Sequence, residues 1–145
     1  MKKGLLFGIV IAVLGLLMAL VPVCIFPTCT KEIETAAGGT VPMNCFWSGQ
    51  AEIGIGILIL CGGLLLAFLR PPLMRAGVGV MTALTGVLGI FVPTVLIGGC
   101  EMPTMTCQMT TFPALILFNI ATIAVAVAGA LYLWKQSKKP AGGGA

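Results

Sequence analysis

The residues best able to do chemistry in this chain are six cysteines, with methionines crowded around them. Cys29, Cys45, Cys100 and Cys107 fall in polar segments, next to Met43, Met102, Met105 and Met109. Thiolate plus thioether is the ligand set that selects Cu(I). Close cysteine pairs of the Cys-x-x-Cys kind support thiol–disulfide exchange, because the spacing tunes the attacking thiolate. No such pair occurs, Cys24 to Cys29 being a looser spacing, and the chain has no histidine. On an oxidising face the four loop cysteines pair as disulfides, which removes the thiolates a metal would need. Four cysteines allow three connectivities. Cys24 stands apart as a free thiol, and Cys61, inside an apolar run, reads as a small packing residue. Copper handling and thiol redox are therefore minor alternatives to structural staples. No cofactor and no metal are implied.

A second chemistry comes from polar groups within apolar runs, which are functional suspects by default. Glu52 follows Trp47 and Gln50 at the start of one run, and Asn119 with Thr122 lies inside another. A proton-coupled transporter needs a carboxylate deep in the bilayer. Glu52, near the end of its run, is instead expected to orient the helix entry at the membrane surface. Asn119 and Thr122, three residues apart, share a helix face and are expected to hydrogen-bond a neighbouring helix. Trp47, Gln50, Glu52 and Asn119 are the candidate contacts for a partner or substrate. No catalytic constellation is present, so a non-enzymatic role is expected.

The elements that hold these groups follow from composition. With 59% hydrophobic and 8% charged residues, the chain departs from the roughly one-quarter charged balance of soluble domains and requires lipid as solvent. Four apolar stretches, about 4–23, 48–69, 75–97 and 113–134, each approach the ~20 residues needed to cross a bilayer core. Backbone groups have no water to bond at that depth, so each span must be helical. The expected fold is an all-α integral membrane four-helix bundle over residues 1–139, with a flexible tail at 140–145 rich in glycine.

Charge sets the orientation. Lys2 and Lys3, Arg70 and Arg75, and Lys135, Lys138 and Lys139 lie at one end of the spans, whereas Lys31 alone among the basic residues lies at the other. The positive-inside rule then places both termini in the cytoplasm of a plasma (inner) membrane protein. Lys2-Lys3 before an apolar run also resembles a secretion signal, but Pro22-Val23 replaces the small residues of a cleavage site. The net charge of +4 reads as topology and attraction to anionic lipid, with no nucleic-acid partner.

Self-similarity organises the chain further. Val21-Pro22 and Val92-Pro93 end the first and third spans, and Cys29 and Cys100 stand at the same distance beyond each proline. Each loop closes with Met-x-Cys, at Met43-Asn44-Cys45 and Met105-Thr106-Cys107. The halves read as tandem hairpins, 1–70 and 71–139, a parallel duplication about the membrane normal. That symmetry favours Cys29 with Cys45 and Cys100 with Cys107, and retention of the first span. Small or kinking residues also recur at heptad spacing: Gly8, Gly15, Pro22; Gly49, Gly56, Gly63; Gly79, Gly86, Pro93; Ala114, Ala121, Ala128. Such stripes allow close backbone approach in lipid, and a heptad period predicts left-handed crossing.

The segments Met43 to Gly56 (MNCFWSGQAEIGIG) and Val92 to Cys107 (VPTVLIGGCEMPTMTC), with Pro113-Ala-Leu after them, resemble a family of small prokaryotic four-span membrane proteins catalogued as domain of unknown function forty-four eighteen. The resemblance covers nearly the whole chain and rests on the paired Met-x-Cys elements and the Val-Pro-Thr-x-Leu-Ile-Gly-x-Cys run. It implies an accessory role beside transporter permeases and carries over no site residues. Phe46 stands where a more polar residue is expected. The function expected from sequence is thus an accessory or structural protein that binds another membrane protein, or itself, through stapled outer loops. A small oligomeric transporter or channel is the alternative.

Overall fold

The computed structural model describes residues 2–25, 32–34, 38–42, 44–98 and 107–138. Four long helices dominate: α1 (Lys2–Leu20), α2 (Asn44–Phe68), α3 (Pro72–Phe91) and α4 (Phe112–Lys138). All four are long and apolar enough to cross a membrane, over Gly4–Cys24, Phe46–Phe68, Pro72–Leu96 and Met109–Lys138. These spans match the sequence expectation closely, and the chain is a multi-pass membrane protein in contact with lipid. The tail at 140–145 lies outside the described residues.

Each helix buries one heptad seam, because residues alternately three and four apart line one side of a helix. In α1 the buried set includes Gly4, Gly8, Ile11, Gly15 and Met18, continuing to Pro22. In α3 it includes Arg75, Gly79, Thr82, Gly86 and Gly89, with Ala76 and Ala83 beside them, continuing to Pro93. In α2, Gly49, Glu52, Gly56, Ile59, Gly63 and Leu66 are buried; in α4, Phe112, Leu115, Asn119, Thr122, Ala126, Gly129 and Leu133. The expected stripes on α1, α2 and α3 therefore face inward. On α4 the stripe is displaced: Ala114 and Ala121 are half-buried and Ala128 is exposed. Larger and more polar side chains take the inner face there, since α4 packs against the glycines of α3.

Glycine sets the closest approach. A Cβ on Gly8 would lie 2.7 Å from the Ala67 backbone nitrogen and one on Gly56 2.7 Å from that of Ala19, while Gly15 and Gly63 likewise face the α2 and α1 backbones. Facing main chains in van der Waals contact replace the hydrophobic drive that lipid cannot supply. On α3, Gly79 packs against Ala130 and Gly86 against Ile123. Contacts are dense between α1 and α2 and between α3 and α4, and sparser between the two pairs. The molecule is thus two tight hairpins laid against each other.

The hairpins end differently at the two ends of the bundle. At the turn end, Pro71 and Pro72 stop α2 and start α3, with Pro71 extended (φ −67°, ψ 125°) and Pro72 in the first turn, where its missing N–H costs no hydrogen bond. At the loop end, α1 and α3 each widen into a π-helical turn, Val21–Ile25 and Val92–Leu96, at the Val-Pro steps. The proline ring clashes with a regular helical carbonyl behind it, and the wider turn relieves this. A third π-helical turn, Cys107–Thr111, leads into α4. The first loop contains a short antiparallel ribbon, β1 (Glu32–Glu34) with β2 (Thr40–Pro42). Its turn includes Gly38 at φ 80°, a backbone that favours glycine.

Arg75 departs from its expected place as a solvated marker of the cytoplasmic turn. It is buried, and its Nε donates to the Leu66 carbonyl at 2.7 Å. Carbonyls in the last turns of a helix lack internal partners and carry partial negative charge. Arg75 thus caps the end of α2, and Gly4 leaves room for its guanidinium.

Adding one methyl at Gly63 should overpack the α1–α2 contact and cost about 1–3 kcal/mol. Gly54, which faces open space, is the control. In detergent, Gly63→Ala should lower the melting temperature while Gly54→Ala leaves it unchanged or higher; equal melting temperatures would refute the backbone contact.

Candidate functional site

The loop-end half of the bundle encloses a polar cluster between the hairpins. α2 contributes Ser48 and, one turn later, Glu52; α4 contributes Asn119 and Thr122, and the π-helical turn before it contributes Thr111. All five are fully buried. They are inside because each lies on an inward face otherwise lined by Ile55, Ile59 and Leu115. Val21, Phe112 and Leu115 form an apolar cluster at the same end, with Phe118 packed against it.

Most of the hydroxyls and the amide have local partners. Thr122 Oγ1 donates to the Phe118 carbonyl at 2.9 Å and sits 3.9 Å from Met18 Sδ on α1. Asn119 Nδ2 donates to the Leu115 carbonyl at 3.1 Å. Such bonds to the preceding turn are the usual way to satisfy a polar side chain in an apolar helix. Ser48 differs: its Oγ donates across the bundle to the Gly98 carbonyl at 2.8 Å. Gly98 closes the π-helical turn after α3 at φ 74°, a left-handed conformation that presents its carbonyl to α2. Ser48 and Gly98 thereby latch one hairpin to the other.

Three oxygens remain without a donor. Both carboxyl oxygens of Glu52 and Asn119 Oδ1 are buried and meet no hydrogen-bond partner. The Asn119 amide nevertheless lies near enough to Glu52 to act on it electrostatically. No hydrogen bond of standard geometry joins them. An unmet buried polar group costs about 1–3 kcal/mol, and a charged one more. The buried cation among the described residues, Arg75 of α3, bonds Leu66, about 20 Å along α2 from Glu52 at 1.5 Å per residue. Asn119 also leans on Gly89 of α3, where any Cβ would collide with the amide.

This overturns the sequence expectation for Glu52. Linear position alone puts it near the membrane surface, about 9 Å into its span at 1.5 Å per residue. Its helix face, not its depth, decides the environment: Glu52 shares the heptad seam with Gly49, Gly56 and Ile59, a register visible in the sequence. Asn119 and Thr122 are inside, but each bonds a carbonyl of its own helix, Leu115 and Phe118, where the sequence pointed to a neighbouring helix; only the Thr122 contact with Met18 Sδ crosses to α1. Trp47 and Gln50 are exposed, on the other side of α2, with Phe46 and Trp47 in an edge-to-face pair at 5.8 Å. The four candidates therefore separate into a buried pair and a surface pair. Arg75 is a buried functional group that sequence reading assigned only to topology.

The cysteine chemistry rests on other parts of the chain. Cys29 and Cys100 lie outside the described residues, as does Met43. Cys45 stands in the first turn of α2 and Cys107 begins the π-helical turn before α4. Cys24 and Cys61 are free and exposed on the outer surface of the bundle, so Cys61 does not fill the core. Among the described residues no cluster of three or more His, Cys, Asp or Glu side chains is placed to hold a metal. Two grooves, one between α3 and α4 past Val80 and Val127 and one between α2 and α3 past Leu58 and Met81, are lined almost wholly by apolar side chains. They suit acyl chains and gather no convergent polar groups.

Four membrane-length helices, paired as two hairpins around an enclosed acid and amide, define a polytopic helical membrane protein with a polar site between its halves. Within that class the chain belongs to the family described as Domain of unknown function (DUF4418), whose model matches residues 11–133. No curated protein and no solved structure matches the chain.

The latch makes a coupled prediction. Ser48→Ala should cost about 1 kcal/mol through the lost hydrogen bond, and Gly98→Ala about 1–2 kcal/mol through the left-handed backbone. Both act on one contact, so the double variant should melt higher than the sum of the two single losses predicts. Strict additivity in detergent melts would break the link.

Proposed function

We propose that this protein is a small, non-enzymatic membrane transporter whose working site is the Glu52–Asn119 pair between two hairpins. The observation that carries the reading is the Glu52 carboxyl, fully buried without a hydrogen-bond donor. Ionisable groups inside membrane bundles are rare and mark ion or substrate paths. The arrangement also suits movement. Each hairpin is internally tight, their mutual contacts are sparser, and binding groups at the interface of two halves that rock against each other are the common transporter plan.

The halves are taken as tandem duplicates with both termini cytoplasmic, in the plasma (inner) membrane. The shared π-helical turns at Val21–Ile25 and Val92–Leu96 support the duplication. So does the matching burial of Gly8, Gly15 and Pro22 with Gly79, Gly86 and Pro93. The basic residues at the turn end support the orientation. Disulfides within each outer loop would fix the loop end of each half.

An accessory role beside a transporter permease is the second reading, and the exposed Trp47 and Gln50 at the loop end favour it. Aromatic side chains with an adjacent amide are suited to a protein interface. The buried pair weighs more, because a docking surface alone gives no reason to enclose an unpartnered carboxyl.

Purified protein in liposomes loaded with a pH dye, given a membrane potential or a Na⁺ pulse, tests the choice. Wild type should move ions at least about tenfold faster than Glu52→Gln, since the variant removes the only acid in the span interior. Equal rates reject transport. Under the accessory reading, Trp47→Ala should release a stoichiometric partner from mild-detergent extracts, and Glu52→Gln should not.

A further inference from the structure

Deepening the transporter reading and resting on it, we infer that the ligand of the buried pair is a single proton, held between the Glu52 carboxyl and the Asn119 side-chain oxygen. The inference comes from counting donors and acceptors. Glu52 offers two oxygens and Asn119 one, and none of the three has a donor. An asparagine amide has two N–H groups; one is committed to the Leu115 carbonyl, so one remains. Three acceptor oxygens thus face one free donor, and a single added proton closes the gap because it turns one of those acceptors into a donor. A proton on Glu52 makes the carboxyl an O–H donor for Asn119 Oδ1, while the spare amide N–H serves the other carboxyl oxygen. Acid and amide then engage each other through two hydrogen bonds, and every buried polar atom of the pair has a partner.

Size and charge point the same way. The three oxygens have essentially no solvent-accessible surface, so the closed bundle leaves no space beside them for a hydrated ion or an organic cation. A proton needs none. One carboxylate is neutralised by one positive charge, whereas a divalent ion would leave net charge in a medium where isolated charge is costly.

Among the residues whose side chains are described, no other titratable group faces the pair. The inward faces of α1 and of the Val21–Ile25 turn present Met18 and Val21, and those of α3 and the Val92–Leu96 turn present Gly89, Val92 and Pro93. α4 presents Leu115, Asn119 and Thr122. Arg75, Tyr132, Lys135 and Lys138 belong to the opposite end, and Glu34 is exposed on the ribbon. Gly89 is the positioning residue: its missing side chain is what lets the Asn119 amide sit beside α3.

Infrared difference spectroscopy on the full chain in liposomes, with choline as the only added cation and Glu52→Gln as the reference, reads the proton directly. The expected result is a protonated-carboxyl band, lost in Glu52→Gln. The band should shift in Asn119→Leu and, by a smaller displacement of the same amide, in Gly89→Ala; melting temperatures confirm that each variant is folded. Absence of the band overturns the inference. So does its loss when Na⁺ or Mg²⁺ replaces choline, which would assign the site to a metal cation. A band that ignores both Asn119→Leu and Gly89→Ala also overturns it, since the acid would then be unpaired. The transport reading fails separately: a band with no ion flux leaves the proton site standing and rejects transport, while flux without the band rejects only the proton.

Discussion

The backbone-to-backbone contact of α1 with α2 is the constraint on which the rest of this bundle depends. Between helices in lipid there is no water to expel, so attraction has to come from close, well-fitted surfaces. Gly8 and Gly15 on one helix and Gly56 and Gly63 on the other remove the side chains that would hold the main chains apart. α3 and α4 reach a similar fit by a different division, with glycines on α3 facing Ala130, Ile123 and Asn119. The difference matters. Because only one side of the second hairpin is glycine, α4 can carry larger inward side chains, and Asn119 and Thr122 are among them.

Two hairpins that are each complete in this way need little from one another. Their shared surface is then free to hold groups that a tight glycine seam would exclude. Glu52 sits on the same seam as Gly49 and Gly56, buried inside the bundle. The polar cluster is the consequence of that geometry, and the Ser48–Gly98 bond is its closure at the loop end. The π-helical turns contribute as well. The one at Val92–Leu96 ends α3, and the Gly98 carbonyl just beyond it accepts from Ser48 of α2.

Much of this was legible in the chain. Four spans follow from hydropathy because the bilayer imposes one length on every crossing, and the glycine heptads of α1, α2 and α3 follow because close packing imposes one residue size. The alanine stripe of α4 falls beside the buried seam, one residue before Leu115, Thr122 and Gly129, since Ala114, Ala121 and Ala128 are small whether they face lipid or protein. Size alone carries no direction. The burial of Arg75 was hidden for the opposite reason: a basic residue beside a turn satisfies the topology rule equally well in water or bonded to the last carbonyls of α2. The β1–β2 ribbon carried no such mark, because pairing of strands three residues long depends on what surrounds them.

Glu52 is the instructive residue, because its sequence position and its environment disagree. Measured along the helix it is close to the surface; measured around the helix it is on the innermost face. In a bundle whose cross-section is only a few side chains wide, the second coordinate sets solvation, since lipid and neighbouring helices exclude water within one turn of the entry. The same reasoning separates Glu52 from Gln50 and Trp47, which are its near neighbours in sequence and yet point outward. A carboxyl placed inward and left without a donor is costly to fold around. Apolar residues already fill the equivalent places at Ile55 and Ile59, so packing alone would be served better by a hydrophobic side chain at residue 52. What distinguishes a carboxyl from those side chains is that it can gain and lose a proton, and between two hairpins only loosely joined, that exchange alters how well the halves satisfy each other.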